Sequence, residues 1–466
     1  MTAAEHGVPG MVVGVRSGGH EVFTCHGVTD LDDPRPVGPH TLHQWASVTK
    51  TYTATALMCL VGQGLVDLDA PVRRYAPELV LADEDSAARI TVLNLLNLLN
   101  HTAGLDWNLL ADTGEGDDAL ASFVARMAEV DLIAAPGTRA SYGQAGYNLA
   151  GRILEHVTGQ TYERAFTTPL FEPLGMTESF FAPAPDPAIA THAAVAVGHN
   201  LDEGGRLTPT GGWTPSRANN PGGGLVSSVA DQLRWARFHL GDGRTESGAR
   251  LLPTELLHRM RERTTVLRAS SLGHGIGFSW FLREVDGVAT IGHGGSANGQ
   301  FAELLLVPEH DFAVVAVSNA GPEGTLCNQA VVRRLPETHL GLYERAPEPI
   351  PFDPTRAAEI TGDYDIDAMT LTIAIADTAE CEGSREVSDN VSGSGEVSGS
   401  GEVSGRTLTL GARIKPEIRA ASETELPPDY APASLAPLPG DGDEYVVTGG
   451  GLRGRRGFFT RDASGA

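Results

Sequence analysis

The segment at residues 44–64, QWASVTKTYTATALMCLVGQG, constrains the fold more than any other part of the chain. Ser47 and Lys50 stand three residues apart, and an almost unbroken apolar run follows at residues 54–61. Residues three apart lie on one face of a helix, so the spacing predicts that the lysine amine lies beside the serine hydroxyl. A helix that is apolar on nearly every face belongs in a core, and Gly64 provides its stop signal. Burial would lower the pKa of the amine, which could then act as the base that a serine nucleophile needs.

Lysine is rare in this chain, and its rarity makes the spacing informative. Lys50 and Lys415 are the only two lysines, and arginine takes the other cationic positions. A Ser-x-x-Lys match still arises by chance in a solvated helix turn, so the pattern alone is a hypothesis. A catalytic role for this pair would require further catalytic motifs elsewhere in the sequence.

Length and composition narrow the class of protein. A chain of 466 residues with 41% hydrophobic and 20% charged residues is globular and long enough for two domains. A net charge of −25 argues against nucleic-acid partners and against anionic membrane surfaces. The four cysteines have no metal-ligand spacing, so we expect neither a metal nor a cofactor. The first residues resemble a strand rather than a secretory leader, which favours a cytoplasmic protein.

The order of the elements predicts an α+β fold. A strand pair at residues 8–30 precedes the Ser47 helix, and further helices precede consecutive strands that suit an antiparallel sheet. We expect a first domain at 1–340, a proline-rich linker at 341–354 and a C-terminal β-barrel, lipocalin-like domain at 355–466. A Glu-Val-Ser-Gly-Ser-Gly repeat near 383–405 predicts a flexible loop within that domain.

Two later motifs supply the partners that Ser47 lacks. Tyr142-Gly143-Gln144 follows a Pro-Gly turn, and His293-Gly294-Gly295 lies between two predicted strands. With SVTK, they resemble the Ser-x-x-Lys, Tyr-x-Asn and Lys-Thr-Gly or His-x-Gly elements of penicillin-recognising serine hydrolases. The surrounding segments LLNHTAGL, GGGLVSSVADQLRWARF and GHGGSANGQFAELLLVPE are similar to the class C β-lactamase branch, with its esterases and D-aminopeptidases. This resemblance implies a β-lactamase/transpeptidase-like fold: an antiparallel sheet flanked by helices, plus a helical subdomain.

The resemblance also implies a role for each motif residue. Ser47 would attack a carbonyl and form an acyl-enzyme, with Lys50 as its base. Tyr142 would relay a proton to the leaving group, as a phenolate stabilised by the Lys50 cation. His293 would stabilise negative charge or shuttle a proton. The backbone N–H groups of Ser47 and Ser296 would form the oxyanion hole.

Further residues are candidates for substrate binding or for bracing the site. The substrate-binding candidates surround the motifs: Gln144, Gly294, Gly295, Asp106 and Trp107. We expect His101 and Thr102 to brace the fold rather than to touch substrate. Each candidate also has a purely structural alternative, such as a turn-packing Tyr142 or glycines that serve close backbone packing alone.

Two positions depart from the family pattern. Gln144 stands where the family usually has Asn, and its extra methylene must alter its reach into the acyl pocket. His293 replaces a lysine that is associated with recognition of a substrate carboxylate, and histidine is a weaker anion anchor at neutral pH. Both changes point away from a β-lactamase.

The sequence therefore predicts a serine hydrolase that acts on small esters or amides, with D-amino-acid amides and short peptides among the candidates. An acyltransferase, or a penicillin-binding-type thioesterase that cyclises peptides, would share the same acyl-enzyme. A β-lactamase and a catalytically silent binding protein are weaker alternatives. A homo-oligomer is compatible with the sequence, which does not specify one.

Overall fold

The chain forms two compact units in a computed structural model. The structure describes residues 3–68, 70–81, 97–105, 112–129, 132–181, 194–202, 204–210, 216–268, 270–321, 323–345, 348–365, 369–377, 405–416, 419, 430–440, 443–449 and 454–459. One unit comprises Met1–Val266 and Gly273–Glu344, and the other comprises Leu267–Leu272 and Arg345–Ala466. The repeat near 383–405 lies almost wholly outside the described residues.

Strands and helices occupy most of the described chain. The strands are β1 (Gly10–Ser17), β2 (His20–Gly27), β3 (His43–Gln44), β4 (Phe180–Phe181), β5 (His199–Leu201), β6 (Leu207–Pro209), β7 (Leu225–Ser227), β8 (Thr265–Val266), β9 (Gly275–Ile276), β10 (Phe281–Val285), β11 (Val288–Ala297), β12 (Gln300–Val307), β13 (Phe312–Ser318), β14 (Gly362–Asp365), β15 (Met369–Asp377), β16 (Arg406–Ile414), β17 (Tyr430–Pro437), β18 (Glu444–Val447) and β19 (Arg456–Phe458). The helices are α1 (Thr49–Gly62), α2 (Ala119–Arg126), α3 (Ala145–Thr158), α4 (Tyr162–Phe166), α5 (Glu172–Leu174), α6 (Asn220–Gly223), α7 (Val229–Leu240), α8 (Thr254–Arg259), α9 (Glu323–Leu340) and α10 (Pro354–Ile360).

An eight-stranded antiparallel sheet forms the centre of the first unit. Its strand order is β2-β1-β13-β12-β11-β10-β9-β8. The predicted hairpin is present, because β1 pairs with β2 across the turn at Gly18-Gly19. The central strand β13, FAVVAVS, is buried at every residue, which explains its continuous apolar run.

Helices cover both faces of this sheet. On one face α7 packs so closely on β1 that a Cβ at Gly14 would lie 2.8 Å from a Val229 methyl group. On the other face α9 packs on β12 and β13. Alternate residues of β13 accordingly belong to different apolar clusters, with Val315 beneath α7 and Ala316 beneath α9.

The long helix α1 lies in the core of the first unit, as its apolar sequence predicts. Its residues from Thr49 to Leu60 are all buried. It contacts α3 and α6 of the helical part, and the Trp235 indole N–H of α7 donates to the Thr51 hydroxyl at 3.0 Å. These contacts join the helical part to the sheet and confirm the predicted β-lactamase/transpeptidase-like fold.

The second unit is a curled all-β half-barrel. Its six strands pair antiparallel in the order β14-β15-β16-β17-β18-β19. A small core contains Ile373, Leu408, Leu435 and Val447, with residues of α10 packed against them.

No helix of the described chain is long and apolar enough to cross a membrane.

Truncation of Leu233, a fully buried residue of α7, is expected to destabilise the first unit. Leu233→Ala leaves a cavity against the sheet and should lower the free energy of unfolding by about 2–5 kcal/mol. Denaturant unfolding followed by tryptophan fluorescence measures the loss. The matched control is Leu201→Ala, since Leu201 is 47% exposed and its truncation should cost under about 0.5 kcal/mol. Equal losses in the two variants would contradict the packing described here.

Candidate active site

Ser47 lies in a tight turn between β3 and α1. A 3₁₀ turn at Ala46–Val48 carries the serine, and the α-helix proper begins at Thr49. The residue before the serine, Ala46, has a left-handed φ of 44°. A non-glycine residue in this region is strained, and such strain concentrates at functional sites. The predicted helix is therefore present, with the serine at its entrance.

Strand β7 holds this turn in place. The Trp45 backbone N–H donates to the Leu225 carbonyl at 2.9 Å, and its indole N–H donates to the Ser227 carbonyl at 2.9 Å. In return, the Leu225 N–H donates to the Thr49 hydroxyl at 3.0 Å. Hydrogen bonds on both sides of Ser47 thus fix the backbone that presents its hydroxyl.

Strand β11 passes directly beside the same turn. A Cβ at Gly295 would lie 2.1 Å from the Trp45 carbonyl oxygen and 3.2 Å from the Ser47 nitrogen, so only glycine permits this approach. Gly294 faces the other side of the sheet, where a Cβ would lie 3.1 Å from the Glu303 carboxylate. The exposed Ser296 follows next on the strand. The Gly295 backbone is therefore beside the Ser47 amide, and the oxyanion hole of Ser47 and Ser296 stays a prediction.

Lys50 is buried beside Ser47. It is 1% exposed, and its Nζ lies 3.2 Å from the Ser47 Oγ. The amine also donates to the Gly222 carbonyl at 2.8 Å and to the Gln144 Oε1 at 3.1 Å. Burial lowers the pKa of Lys50 from 10.5 to about 7, because a desolvated ammonium without a carboxylate partner is destabilised.

The hydrogen-bond partners of Lys50 also orient its amine group. A neutral lysine amine has two N–H groups and one lone pair. As an ammonium, Lys50 donates to all three oxygens; once neutral, it would keep its N–H groups on the Gly222 carbonyl and the Gln144 Oε1 and turn its lone pair to the Ser47 hydroxyl. Such a pair can remove the serine proton as Oγ attacks a carbonyl carbon.

The side-chain amide of Gln144, a predicted substrate-binding residue, is hydrogen-bonded within the protein. Its Nε2 donates to the Asn148 Oδ1 at 3.0 Å and to the Asn219 carbonyl at 2.9 Å, while its Oε1 accepts from Lys50. Both amide hydrogens are therefore used within the protein. The side chain therefore reaches Lys50 on one side and Asn148 and Asn219 on the other, and its contact with substrate stays a prediction.

Tyr142 lies across the site from Ser47. Its ring centroid is 5.0 Å from the Lys50 Nζ, and the ring packs 4.4 Å from that of His101. Although Tyr142 is 39% exposed, its surroundings desolvate the phenol and raise its pKa to about 12, against a hydrogen bond with Ser47 that lowers it. Desolvation outweighs that hydrogen bond, which favours a protonated phenol that can donate a proton. The relay through a Tyr142 phenolate stays a prediction.

His101 positions the segment that carries Tyr142, a role that the sequence analysis did not assign to it. Its carbonyl accepts from the Ser141 N–H at 2.7 Å and its Nδ1 accepts from the Gly143 N–H at 3.2 Å, so it holds both neighbours of Tyr142. Its own φ of 61° is left-handed. The HTAG motif was the available signal for this position, and the two hydrogen bonds agree with the bracing role predicted for His101.

His293 lines the same site from β11 as a neutral ring. Its Nδ1 donates to the Gly294 carbonyl at 2.6 Å, so Nε2 carries the lone pair. That Nε2 is buried and has no hydrogen-bond partner among the described residues. Burial and the nearby Lys50 amine lower the pKa of His293 to about 3. The neutral ring offers an acceptor at Nε2, which favours the proton-shuttle alternative of the prediction over the stabilisation of negative charge.

Two of the predicted site residues cannot be placed. Asp106 and Trp107 lie outside the described residues.

Within the described chain, no group of His, Cys, Asp and Glu side chains is arranged to hold a metal ion. The structure brings together Ser47, Lys50, Tyr142 and His293 at one site, with Gly295 and Ser296 beside it.

Known proteins share this sequence and this fold. Residues 2–335 match the Beta-lactamase family. Penicillin-binding protein 4 of Amycolatopsis lactamdurans is 33% identical over 78% of this chain and 94% of its own length. Esterase EstB of Burkholderia gladioli is 28% identical over 58% of this chain and 73% of its own length.

A solved structure extends the likeness to both units. The crystal structure of SurE with D-Leu has a TM-score of 0.70 and 26% sequence identity. It covers 100% of this chain and 93% of its own. The family match and the Amycolatopsis relative settle the classification: this chain belongs to the beta-lactamase family.

Proposed function

We propose that this protein is a serine hydrolase that forms an acyl-enzyme on Ser47 with small ester or amide substrates. The observation that carries the proposal is the position of the buried Lys50 amine, 3.2 Å from the Ser47 Oγ with both N–H groups held by other acceptors. An amine with a pKa of about 7 is substantially neutral at physiological pH and can serve as a base.

Acylation would proceed by attack of the Ser47 Oγ on the substrate carbonyl carbon. The hydroxyl proton passes to the Lys50 amine as the Oγ–C bond forms, and the carbonyl oxygen becomes an oxyanion. The N–H groups of Ser47 and Ser296 would donate to that oxyanion, each contributing about 3 kcal/mol of transition-state stabilisation.

Collapse of this intermediate needs a proton for the leaving group. The neutral Tyr142 phenol would donate its proton as the bond to the leaving group breaks, and the Lys50 ammonium would return a proton to the phenol oxygen. Water would then attack the acyl-enzyme and release the acid. An amine or alcohol acceptor would use the same acyl-enzyme, so acyl transfer is the alternative outcome of the second step.

The relatives support this substrate class in broad terms. EstB is named an esterase, and the SurE structure contains D-Leu, so esters and acyl groups bearing a D-amino acid are the first compounds to test. A neutral His293 ring does not attract a carboxylate, which favours substrates that have no carboxylate next to residue 293. A β-lactamase, whose substrates carry such a carboxylate, is correspondingly less favoured.

Loss of the Ser47 hydroxyl should abolish acylation. Ser47→Ala should take no mass adduct from a fluorophosphonate probe and should lose at least about 10³-fold in p-nitrophenyl acetate turnover, because the nucleophile is gone. Intact-mass spectrometry and a chromogenic assay measure both effects. Ser247→Ala, at an exposed serine, is the matched control and should behave as the wild type. An adduct that persists on Ser47→Ala would contradict the assignment.

The acylation rate should follow the ionisation of Lys50. Only the neutral amine accepts a proton, so the rate should rise about tenfold per pH unit below pH 7 and level off above the pKa of about 7. Rapid-mixing measurement of acyl-enzyme formation between pH 5 and 9 gives the profile. Lys50→Arg stays cationic throughout and should remain inactive at every pH. A flat wild-type profile would exclude Lys50 as the base.

A matched acid and amide pair tests the role assigned to His293. The wild type should not favour a peptide substrate with a free C-terminal carboxylate over its C-terminal amide, because the ring at 293 is neutral. In His293→Lys, the ratio of kcat/KM for acid over amide should rise about tenfold, since a cation then faces the carboxylate. His293→Gln keeps the position neutral and should leave the ratio unchanged. A wild-type preference for the acid would refute this assignment.

A further inference from the structure

We infer that Glu163 is a positioning residue for the proposed acylation, because its carboxylate clamps the turn that carries two backbone acceptors of the active site. This turn comprises a 3₁₀ segment at Arg217–Asn219 and the short helix α6 that follows it. Glu163 itself lies on α4, outside the motifs that identify the site. The inference rests on the proposed function, since it concerns the base of the proposed reaction.

The Glu163 carboxylate holds the first residue of the 3₁₀ segment and the first residue of α6. Arg217 donates to it as a fork, from Nε to Oε1 at 3.1 Å and from Nη2 to Oε2 at 3.1 Å. The fully buried Asn220 donates from Nδ2 to the same Oε1 at 2.9 Å. A forked arginine–carboxylate pair fixes orientation as well as distance, because its two N–H bonds are parallel.

The surroundings keep this clamp charged and largely out of water. Only 23% of the Glu163 side chain and 16% of the Arg217 side chain are exposed. Burial alone would raise the pKa of Glu163, but the hydrogen bonds from Arg217 and Asn220 lower it below its usual value. The remaining branch of the arginine, Nη1, donates to the Glu115 carbonyl at 2.8 Å and lies 2.9 Å from the Asp117 Oδ1. The clamp therefore joins three parts of the chain that are distant in sequence.

The same turn supplies acceptors to the active site. The Asn219 carbonyl accepts from the Gln144 Nε2 at 2.9 Å, and the Gly222 carbonyl accepts from the Lys50 amine at 2.8 Å. Both acceptors are backbone atoms, so their positions depend on whatever fixes the turn. The two residues clamped by Glu163, at 217 and 220, each stand two residues before one of these acceptors.

Loss of the anion should therefore displace the acceptors. Glu163→Gln keeps the size of the side chain and removes the charge that holds the Arg217 guanidinium. The Gly222 carbonyl would move with the turn, and the ammonium form of Lys50 would lose part of its stabilisation. The pKa of Lys50 should fall, and the rate of acylation should fall with the loss of the productive geometry.

Titration of Lys50 gives a direct readout, because Lys50 and Lys415 are the only lysines of the chain. Lysine labelled with carbon-13 at Cε gives two side-chain signals in NMR spectra of the full-length protein, and Lys415→Arg assigns them. In Glu163→Gln, the midpoint of the Lys50 titration should lie at least about 0.5 pH unit below that of the wild type. An unchanged midpoint would overturn the inference.

Arg217→Met separates positioning from a long-range effect of charge. It breaks the same clamp but removes a cation, and removal of a cation by itself would raise the pKa of Lys50. Positioning predicts a lower midpoint instead, as in Glu163→Gln. A higher midpoint would refute the positioning role. Should Glu163→Gln fail to fold, Arg217→Met decides the question by itself.

A double-mutant cycle tests whether Glu163 and Arg217 act as one unit. The measured quantity is the rate at which a fluorophosphonate probe modifies Ser47 at pH 9, on the plateau of the rate profile. Each single variant should lower this rate at least about tenfold, and the double variant should lose less than about threefold beyond either. Losses that multiply would show two independent effects and would contradict the clamp.

Glu155→Gln is the matched control for a merely structural role. Glu155 is a buried carboxylate of α3 that accepts from the Tyr162 N–H at 3.1 Å and pairs with Arg152 at 3.3 Å. Its loss should lower the thermal midpoint and leave the probe rate within about twofold of the wild type. A loss of rate as large as that of Glu163→Gln would show that any damage to these helices disturbs the site, and the inference would fall.

The exposed Glu172 controls for the exchange of glutamate for glutamine itself. Glu172→Gln should match the wild type in the Lys50 titration and in the probe rate. Circular dichroism on every variant checks that the fold is retained. A shifted titration in Glu172→Gln would attribute the effect to net charge and would count against Glu163.

Failure of the proposed function has a different signature. The wild type would then take no probe at Ser47, while the Lys50 titrations in Glu163→Gln and Arg217→Met would still decide whether the clamp positions the amine.

Discussion

The burial of the Lys50 amine, with no counter-ion among the described residues, is the interaction on which this site depends. Lys50 lies on an α1 surface that is enclosed by the core, and the groups that receive its N–H bonds are a backbone carbonyl and a side-chain amide. A carboxylate in either place would have kept the amine protonated, whereas neutral acceptors satisfy its hydrogen bonds and leave its pKa near 7. The proposed removal of the Ser47 proton depends on this choice of partners.

The elements packed around Lys50 also fix the position of Ser47 beside it. Strand β7 holds the turn before Ser47 through Trp45, and helix α6, which precedes β7, accepts from the Lys50 amine through the Gly222 carbonyl. Strand β11 lies on the other side, where Gly295 allows the backbones to approach. Ser47 and Lys50 are thus held by contacts from two parts of the chain that are distant from them in sequence.

The two departures from the family pattern have different surroundings. Gln144 places its amide on Lys50, Asn148 and Asn219. His293 presents a neutral ring whose Nε2 has no hydrogen-bond partner among the described residues. The proposed hydrolysis of small esters or amides takes both into account, since it requires neither a cation at residue 293 nor an asparagine at residue 144.

Local features were predictable from the sequence, and partners distant in the chain were not. The Ser47–Lys50 spacing, the buried helix and the antiparallel strands follow from periodicity and composition, because they depend on neighbours a few residues away. Motif resemblance identified Tyr142 and His293 as site residues. The Lys50 acceptors lie 94 and 172 residues further along the chain, so only the folded protein shows that Gln144 serves the lysine. Likewise, the high pKa of Tyr142 and the tautomer of His293 depend on desolvation and on one carbonyl, which tertiary packing alone decides.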